Sequence, residues 1–193
     1  MYLFRSVFYL ILTFTFALIS MGQVVSVNKV KFTSLNNDWL MSEVEIATGR
    51  NTLSNAVSER YIENVGVRLY LGFKNDRLDG GVDFYYSEVT AQILERGDKN
   101  TIRFFIPGKE MEMNRYNKPL YYYAEILVNG QPISPKSRAF STRLQSEESL
   151  KNFVKKAKAG SKKNLGRLIP SYLAPRGIVG SEPDAPAYLR INN

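Results

Sequence analysis

A chain of 193 residues with neither cysteine nor histidine rules out much chemistry at once. It can build no Ser-His-Asp or Cys-His arrangement, no thiolate nucleophile, no Cys/His zinc site and no disulfide. The net charge of +8 is unevenly placed: acids and bases nearly balance over residues 23–145, whereas bases outnumber acids about two to one over 146–193. A basic C-terminal part points to anionic lipid, an acidic polymer, nucleic acid or an acidic protein face, or simply to a solvated helix face.

The chain opens with "MYLFRSVFYLILTFTFALISMGQ". Arg5 supplies a positive start, Val7 to Ile19 an apolar stretch, and Ser20 and Gly22 the small residues of a cleavage site. This pattern predicts a secretory signal over residues 1–22, cut before Gln23; the alternative is an uncleaved anchor. No cysteine is present to carry a lipid, and no Asn-x-Ser/Thr acceptor occurs. Both absences favour a bacterial envelope protein over a eukaryotic secreted one.

Period-two alternation runs from residue 24 to 141. "VVSVNKVKF" reads as a strand with Val25 and Val27 on one side, and Val30 and Phe32 joining them after a slip. "WLMSEVEIATG" places Leu40, Ser42, Val44 and Ile46 on one side and Trp39, Met41, Glu43 and Glu45 on the other. "RNTLSNAVSERYIEN" is polar and reads as a loop. "VGVRLYLGF" is the cleanest strand: Val65, Val67, Leu69, Leu71 and Phe73 face one way, Gly66, Arg68, Tyr70 and Gly72 the other. After the turn cluster "KNDRLDGG", "VDFYYSEVTAQILERG" predicts one or two strands. Asp98-Lys99-Asn100 then turns the chain into "TIRFFIPG", closing a hairpin that stops at Pro107-Gly108. "KEMEMNRYNKP" reads as a loop. In "LYYYAEILVNGQPI", Tyr122, Ala124, Ile126 and Val128 share one face, and Tyr121, Tyr123, Glu125 and Leu127 the other. Asn129-Gly130 is a strong signal for a two-residue hairpin turn, and Pro132 and Pro135 mark the returning segment as an edge.

At Ser146 the period changes. "SEESLKNFVKKAKAG" has a serine cap, two acids in its first turn, and Leu150, Phe153, Val154 and Ala157 at helical spacing before Gly160. This predicts a basic amphipathic helix over 146–160, followed by a proline-containing extended tail over 161–193, with docking of part of the tail left open. The fold class expected is mainly β: an immunoglobulin-like antiparallel β-sandwich over residues 23–145, with a C-terminal helix and extended tail. A tyrosine near the start of the penultimate strand suggests that the hydroxyl of one of Tyr121 to Tyr123 closes a tyrosine corner.

"NDWLMSEVEI", "NVGVRLYLGF" and "LYYYAEILVNG" resemble the cysteine-free immunoglobulin-like or fibronectin-like sandwiches of bacterial exported proteins. They also look like small exported proteins associated with type IV pilus and secretin machinery. The resemblance covers residues 24–141 at the level of fold and transfers no functional residue.

Little in the residues suggests an enzyme. A carboxylate pair of the glycosidase kind is conceivable, but Glu43, Glu45, Asp83, Glu88 and Glu125 mostly read as a solvated sheet face. Ser-Lys chemistry at "SEESLK" or "SKK" would fall on an exposed helix or tail. "LDGG" lacks the strand-to-helix setting of a phosphate loop. Asn75, Asp76, Asp79 and Asp83 match no calcium-loop spacing, with Arg77 among them, so a structural turn is the better reading. No cofactor, metal site or catalytic residue is therefore expected, and neither is a small-molecule substrate. Nor is nucleic acid, since a basic helix without a groove-reading motif is a weak signal. If "VGVRLYLGF" and "YYYAEILV" are neighbouring strands, Arg68, Tyr70, Tyr121 and Tyr123 form an outward patch suited to a partner, unless the helix or tail covers it. Lys151, Lys155, Lys156, Lys158, Lys162 and Lys163 form the second candidate surface.

The reading that follows is a non-enzymatic exported protein, periplasmic or at the outer membrane or cell surface. It would be a protein-interaction or structural component of an envelope assembly, with an envelope protein or acidic surface as partner and a monomer favoured. The alternative is a carbohydrate-binding module or adhesin using the tyrosines.

Overall fold

The alternating segments become two antiparallel sheets stacked face to face. A computed structural model describes residues 24–54, 56–77, 81–97, 100–180 and 186–189. The signal segment expected over 1–22 lies outside the described residues. The first sheet contains β1 (Val25–Ser34), β2 (Leu40–Thr48), β5 (Asn100–Ile106) and β8 (Ile169–Pro170), in the order β1-β2-β5-β8. The second contains β3 (Tyr61–Asn75), β4 (Gly81–Glu95), β6 (Tyr121–Val128), β7 (Gln131–Pro132) and β9 (Tyr188–Leu189), in the order β7-β6-β3-β4-β9. Helices α1 (Gly108–Asn114), α2 (Glu147–Gly160) and α3 (Arg176–Val179) lie between strands. This is an immunoglobulin-like sandwich with a C-terminal helix.

The inward rows are those the alternation marks. Leu40, Val44 and Ile46 meet Val65, Val67, Leu69 and Leu71 in one core, each at most 1% exposed. Each such side chain contributes about 1.5–3 kcal/mol by leaving water. The slip in β1 is a bulge: the pairing to β2 shifts between Val27 and Lys29, so Asn28 is the extra residue and Val30 and Phe32 return to the core side. β6 and β7 meet through Asn129 and Gly130, whose φ values of 51° and 78° are the two positive angles such a turn requires.

Two expectations are overturned. First, β4 and β5 do not form a hairpin. β4 pairs with β3 and β9, while β5 crosses to the other sheet, where Ile102, Phe104 and Ile106 stand opposite Val44, Ser42 and Leu40. The corner is built by side chains: Asn100 Nδ2 donates to the Glu95 carbonyl at 3.0 Å, and Thr48 Oγ1 donates to the same carbonyl at 2.6 Å. Second, the segment after Pro107 is not all loop, because α1 forms there. Pro107 caps it, and its carbonyl accepts from Met111 N. The docking left open for the tail is seen in the described part of 161–193. β8 pairs with β5, and β9 with β4, so the C-terminal segment adds an edge strand to each sheet.

Candidate interaction surface

β3 pairs with both β4 and β6, so its outward residues stand in cross-strand rows. One row is Glu125, Arg68, Glu88; the next is Tyr123, Tyr70, Tyr86; the next is Tyr121, Gly72, Phe84. The four residues singled out from sequence, Arg68, Tyr70, Tyr121 and Tyr123, are thus brought together on one sheet face. That face does not lie open.

Helix α2 covers it. Ser146 Oγ accepts from Ser149 N at 3.0 Å, capping the first turn. Phe153 and Ala157 are buried on one stripe. The Phe153 ring lies 5.9 Å from Tyr121 and 6.1 Å from Phe84, in the space that Gly72 leaves: a Cβ there would stand 3.3 Å from Phe153. Lys158 Nζ sits 5.9 Å from the centre of the Tyr70 ring, a cation–π placement. Tyr70 is fully buried, Tyr123, stacked 5.9 Å from Tyr70, is 5% exposed, and Tyr121 is half-buried. An open tyrosine patch is therefore corrected to an intramolecular interface. A sheet face this aromatic loses more by staying in water than the helix loses by docking.

The polar row beside it is also internally paired. Arg68 Nε donates to Glu88 at 2.9 Å and Nη1 to Glu125 at 3.4 Å, and Tyr70 OH donates to Glu125 at 3.1 Å. Tyr86 OH donates to Glu88. Burial pushes the Tyr70 hydroxyl well above its ordinary range, and the Glu125 charge adds to it. Burial alone would raise the Glu88 carboxyl, but the hydrogen bonds from Arg68 and Tyr86, with the charges of Arg68 and Lys158, bring it net below its ordinary value. The Arg68 guanidinium is held more firmly protonated by its bond to Glu88. The tyrosine corner is likewise corrected. Among the described residues, no hydroxyl of Tyr121, Tyr122 or Tyr123 makes a hydrogen bond; Tyr122 instead sets its ring 5.2 Å from Phe32, edge-on.

The lysines lie as the spacing suggests. Lys151, Lys155, Lys156, Lys158, Lys162 and Lys163 are all exposed. Lys151 pairs with Glu147 one turn back at 2.5 Å. Lys151, Lys155 and Lys162 form a ridge along the outward side of α2 and into the 3-10 turn Ser161–Asn164, while Lys158, at the same helical spacing, turns its ammonium back over Tyr70.

One group went unread in the sequence: the Glu110 node. The Glu110 residue is 8% exposed. It accepts from Arg167 Nη1 at 2.7 and 2.8 Å, from Tyr85 OH at 2.7 Å and from Asn114 Nδ2 at 3.1 Å. Tyr116 extends it, stacking on Phe73 at 4.7 Å and donating to Asp83. The signal was present. A proline followed within three residues by an acid is a helix start as well as a strand stop. Among the described residues no cluster of acids could hold a metal ion.

No protein-family model matches the chain, and no curated protein matches it by sequence. Among solved structures it is similar to one from Akkermansia muciniphila, with a TM-score of 0.59 and 12% identity over 87% of this chain and 93% of that one. The likeness is one of fold. The matched share exceeds what residues 1–145 alone could supply, so the likeness extends past residue 145.

Proposed function

We propose that the protein is a non-enzymatic, exported interaction or structural component of a bacterial envelope assembly, of the kind built around type IV pili and secretins. The observation that carries the reading is the docking of α2. It closes the aromatic sheet face and leaves the lysine ridge and its neighbours outside; of the six lysines, Lys155, Lys156, Lys162 and Lys163 make neither an ion pair nor a cation–π contact among the described residues. Such a ridge is suited to an acidic surface. The signal-like residues 1–22 support export, and the lack of cysteine and histidine supports a role without covalent chemistry. The pilus association rests on the resemblance of the strand segments. The carbohydrate reading is the less favoured one, since Tyr70 and Tyr123 are buried and offer no ring to a sugar.

The test is binding of residues 23–193, which include every described strand, to envelope fractions of the native host. The comparison is a variant with the six lysines changed to Gln. Binding that falls with salt and with the substitutions supports the reading, because exposed charges are screened over about 8 Å at physiological ionic strength. Equal, salt-indifferent binding by both would sink it.

A further inference from the structure

The turn that follows α2 holds a leucine out in water. Leu165 is 79% exposed, yet the backbone around it is pinned on both sides. Before it, Ser161 is buried and Asn164 Nδ2 donates to the Phe84 carbonyl at 3.0 Å. After it, Arg167 N donates to the Asn164 carbonyl at 3.1 Å, Arg167 binds Glu110, and Leu168 is 2% exposed. The turn itself uses Gly166 at φ 75°. Leu165 is therefore presented by a fixed loop, with Lys162 and Lys163 exposed just before it and Arg167 just after it. No acid occurs between Ser149 and Ser181. Helix α1, tied to this loop through Glu110, adds Met113 at 59% exposure, with Lys109 exposed on the same helix and Arg115 just past its end.

We propose that this loop, with the α2 ridge, seats the protein on an anionic lipid surface: Leu165 enters the headgroup boundary and the lysines face lipid phosphates. The proposal rests on the reading of an exported, acid-binding protein and names its partner class. An apolar tip surrounded by cations is the arrangement that binds interfacially, through buried apolar area together with attraction to anionic headgroups. The residue types favour lipid over protein. Protein interfaces are depleted of lysine and need an apolar centre within a broad contact area. Here the cations between Ser146 and Gly166 are all lysine, strongly hydrated point charges suited to a diffuse anionic layer rather than to two-point pairing.

The experiment is co-sedimentation of residues 23–193 with vesicles of phosphatidylglycerol and phosphatidylethanolamine, against vesicles of phosphatidylcholine. Residues 1–22 are left out because an apolar stretch would partition into either. The expected result is binding to the anionic vesicles alone, lost at high salt. Leu165→Ser should weaken it about tenfold and the Lys162→Gln, Lys163→Gln pair tenfold or more, since each lysine near such a surface contributes on the order of a fivefold gain. Circular dichroism should show both variants folded, since all three positions are exposed. Equal binding to both vesicle types, no binding to the anionic ones, or indifference to Leu165→Ser would overturn the proposal. If vesicles fail but envelope fractions still bind in a salt-dependent way that protease treatment of the fraction abolishes, the partner is a protein. The lipid proposal then falls and the proposed function stands. If neither surface binds, both fall.

Discussion

Arg167 and Glu110 join the C-terminal segment to the sandwich: Nη1 of the arginine lies 2.7 Å from one carboxylate oxygen and 2.8 Å from the other. The carboxylate is nearly buried, with its side chain 9% exposed, while the arginine side chain is 46% exposed. The pair is therefore asymmetric. The glutamate depends on its partners, and the arginine can be released to water.

Removing the arginine should unfasten the segment before it unfolds the sandwich. Arg167→Met leaves Glu110 with only Tyr85 and Asn114 as partners. The cost should be about 1–2 kcal/mol, below that of a fully buried pair because Arg167 is half open to water. Denaturant midpoints read the global loss, and amide exchange over residues 168–189 reads the local one. Unchanged exchange there would show that β8 and β9 hold without the ion pair.

Gly130→Val should destabilise by about 1 kcal/mol or more. Gly130 sits at φ 78°, and a Cβ there would meet nothing within 4 Å. The cost is thus one of backbone conformation and not of crowding. Gly130→Asn, which tolerates positive φ, should recover most of it. Equal melting temperatures for the glycine and valine forms would contradict the turn.

Gly108→Ala tests a different cause. A Cβ at Gly108 would stand 1.8 Å from the Asn37 carbonyl oxygen, so backbone must move. This is the contact that seats α1 against the 3-10 turn Asn36–Asp38. A loss of about 2–3 kcal/mol is expected, at the upper end of overpacking costs. A thermal melt within a degree or two of the parent would mean that α1 is free to shift.

How far the fold could be read ahead depends on the range of the interaction. Val25, Val27, Val30 and Phe32 show their bulge in the sequence because a slip in period is local. Asn129-Gly130 shows its turn, and Ser146 its cap, for the same reason. The route from β4 to β5 is not local. Asp98-Lys99-Asn100 looks like any hairpin turn, and only the need of β2 for a partner sends Ile102, Phe104 and Ile106 to the other sheet. The site behaves alike. Alternation places Arg68, Tyr70, Tyr121 and Tyr123 on the outer side of their strands, where they are. It does not say what lies over them: Lys158, distant in sequence, reaches over Tyr70, and Phe153 packs on Tyr121. Glu110 is not legible because its partners are distant in sequence, Tyr85 lying 25 residues before it and Arg167 57 after it.

The buried tyrosines should make alkaline unfolding cooperative. Burial raises the hydroxyls of Tyr70, Tyr85, Tyr86, Tyr116 and Tyr123 well above the ordinary 10.0. Nearby carboxylates add to it: Glu125 for Tyr70 and Tyr123, Glu110 for Tyr85, Glu88 for Tyr86 and Asp83 for Tyr116. In the unfolded chain the same groups ionise near 10.0. The folded state therefore holds its protons longer, and the stability linked to them is complete below pH 10 and lost as pH rises beyond it. The tyrosinate absorbance of this set should appear in a steep step together with loss of β signal. Tyr86→Phe keeps the ring beside Tyr70 but removes one of the shifted hydroxyls, and should reduce the amplitude of the steep step without abolishing it. A smooth titration of these five hydroxyls, with the fold intact well past pH 10, would mean that hydroxide reaches them without unfolding.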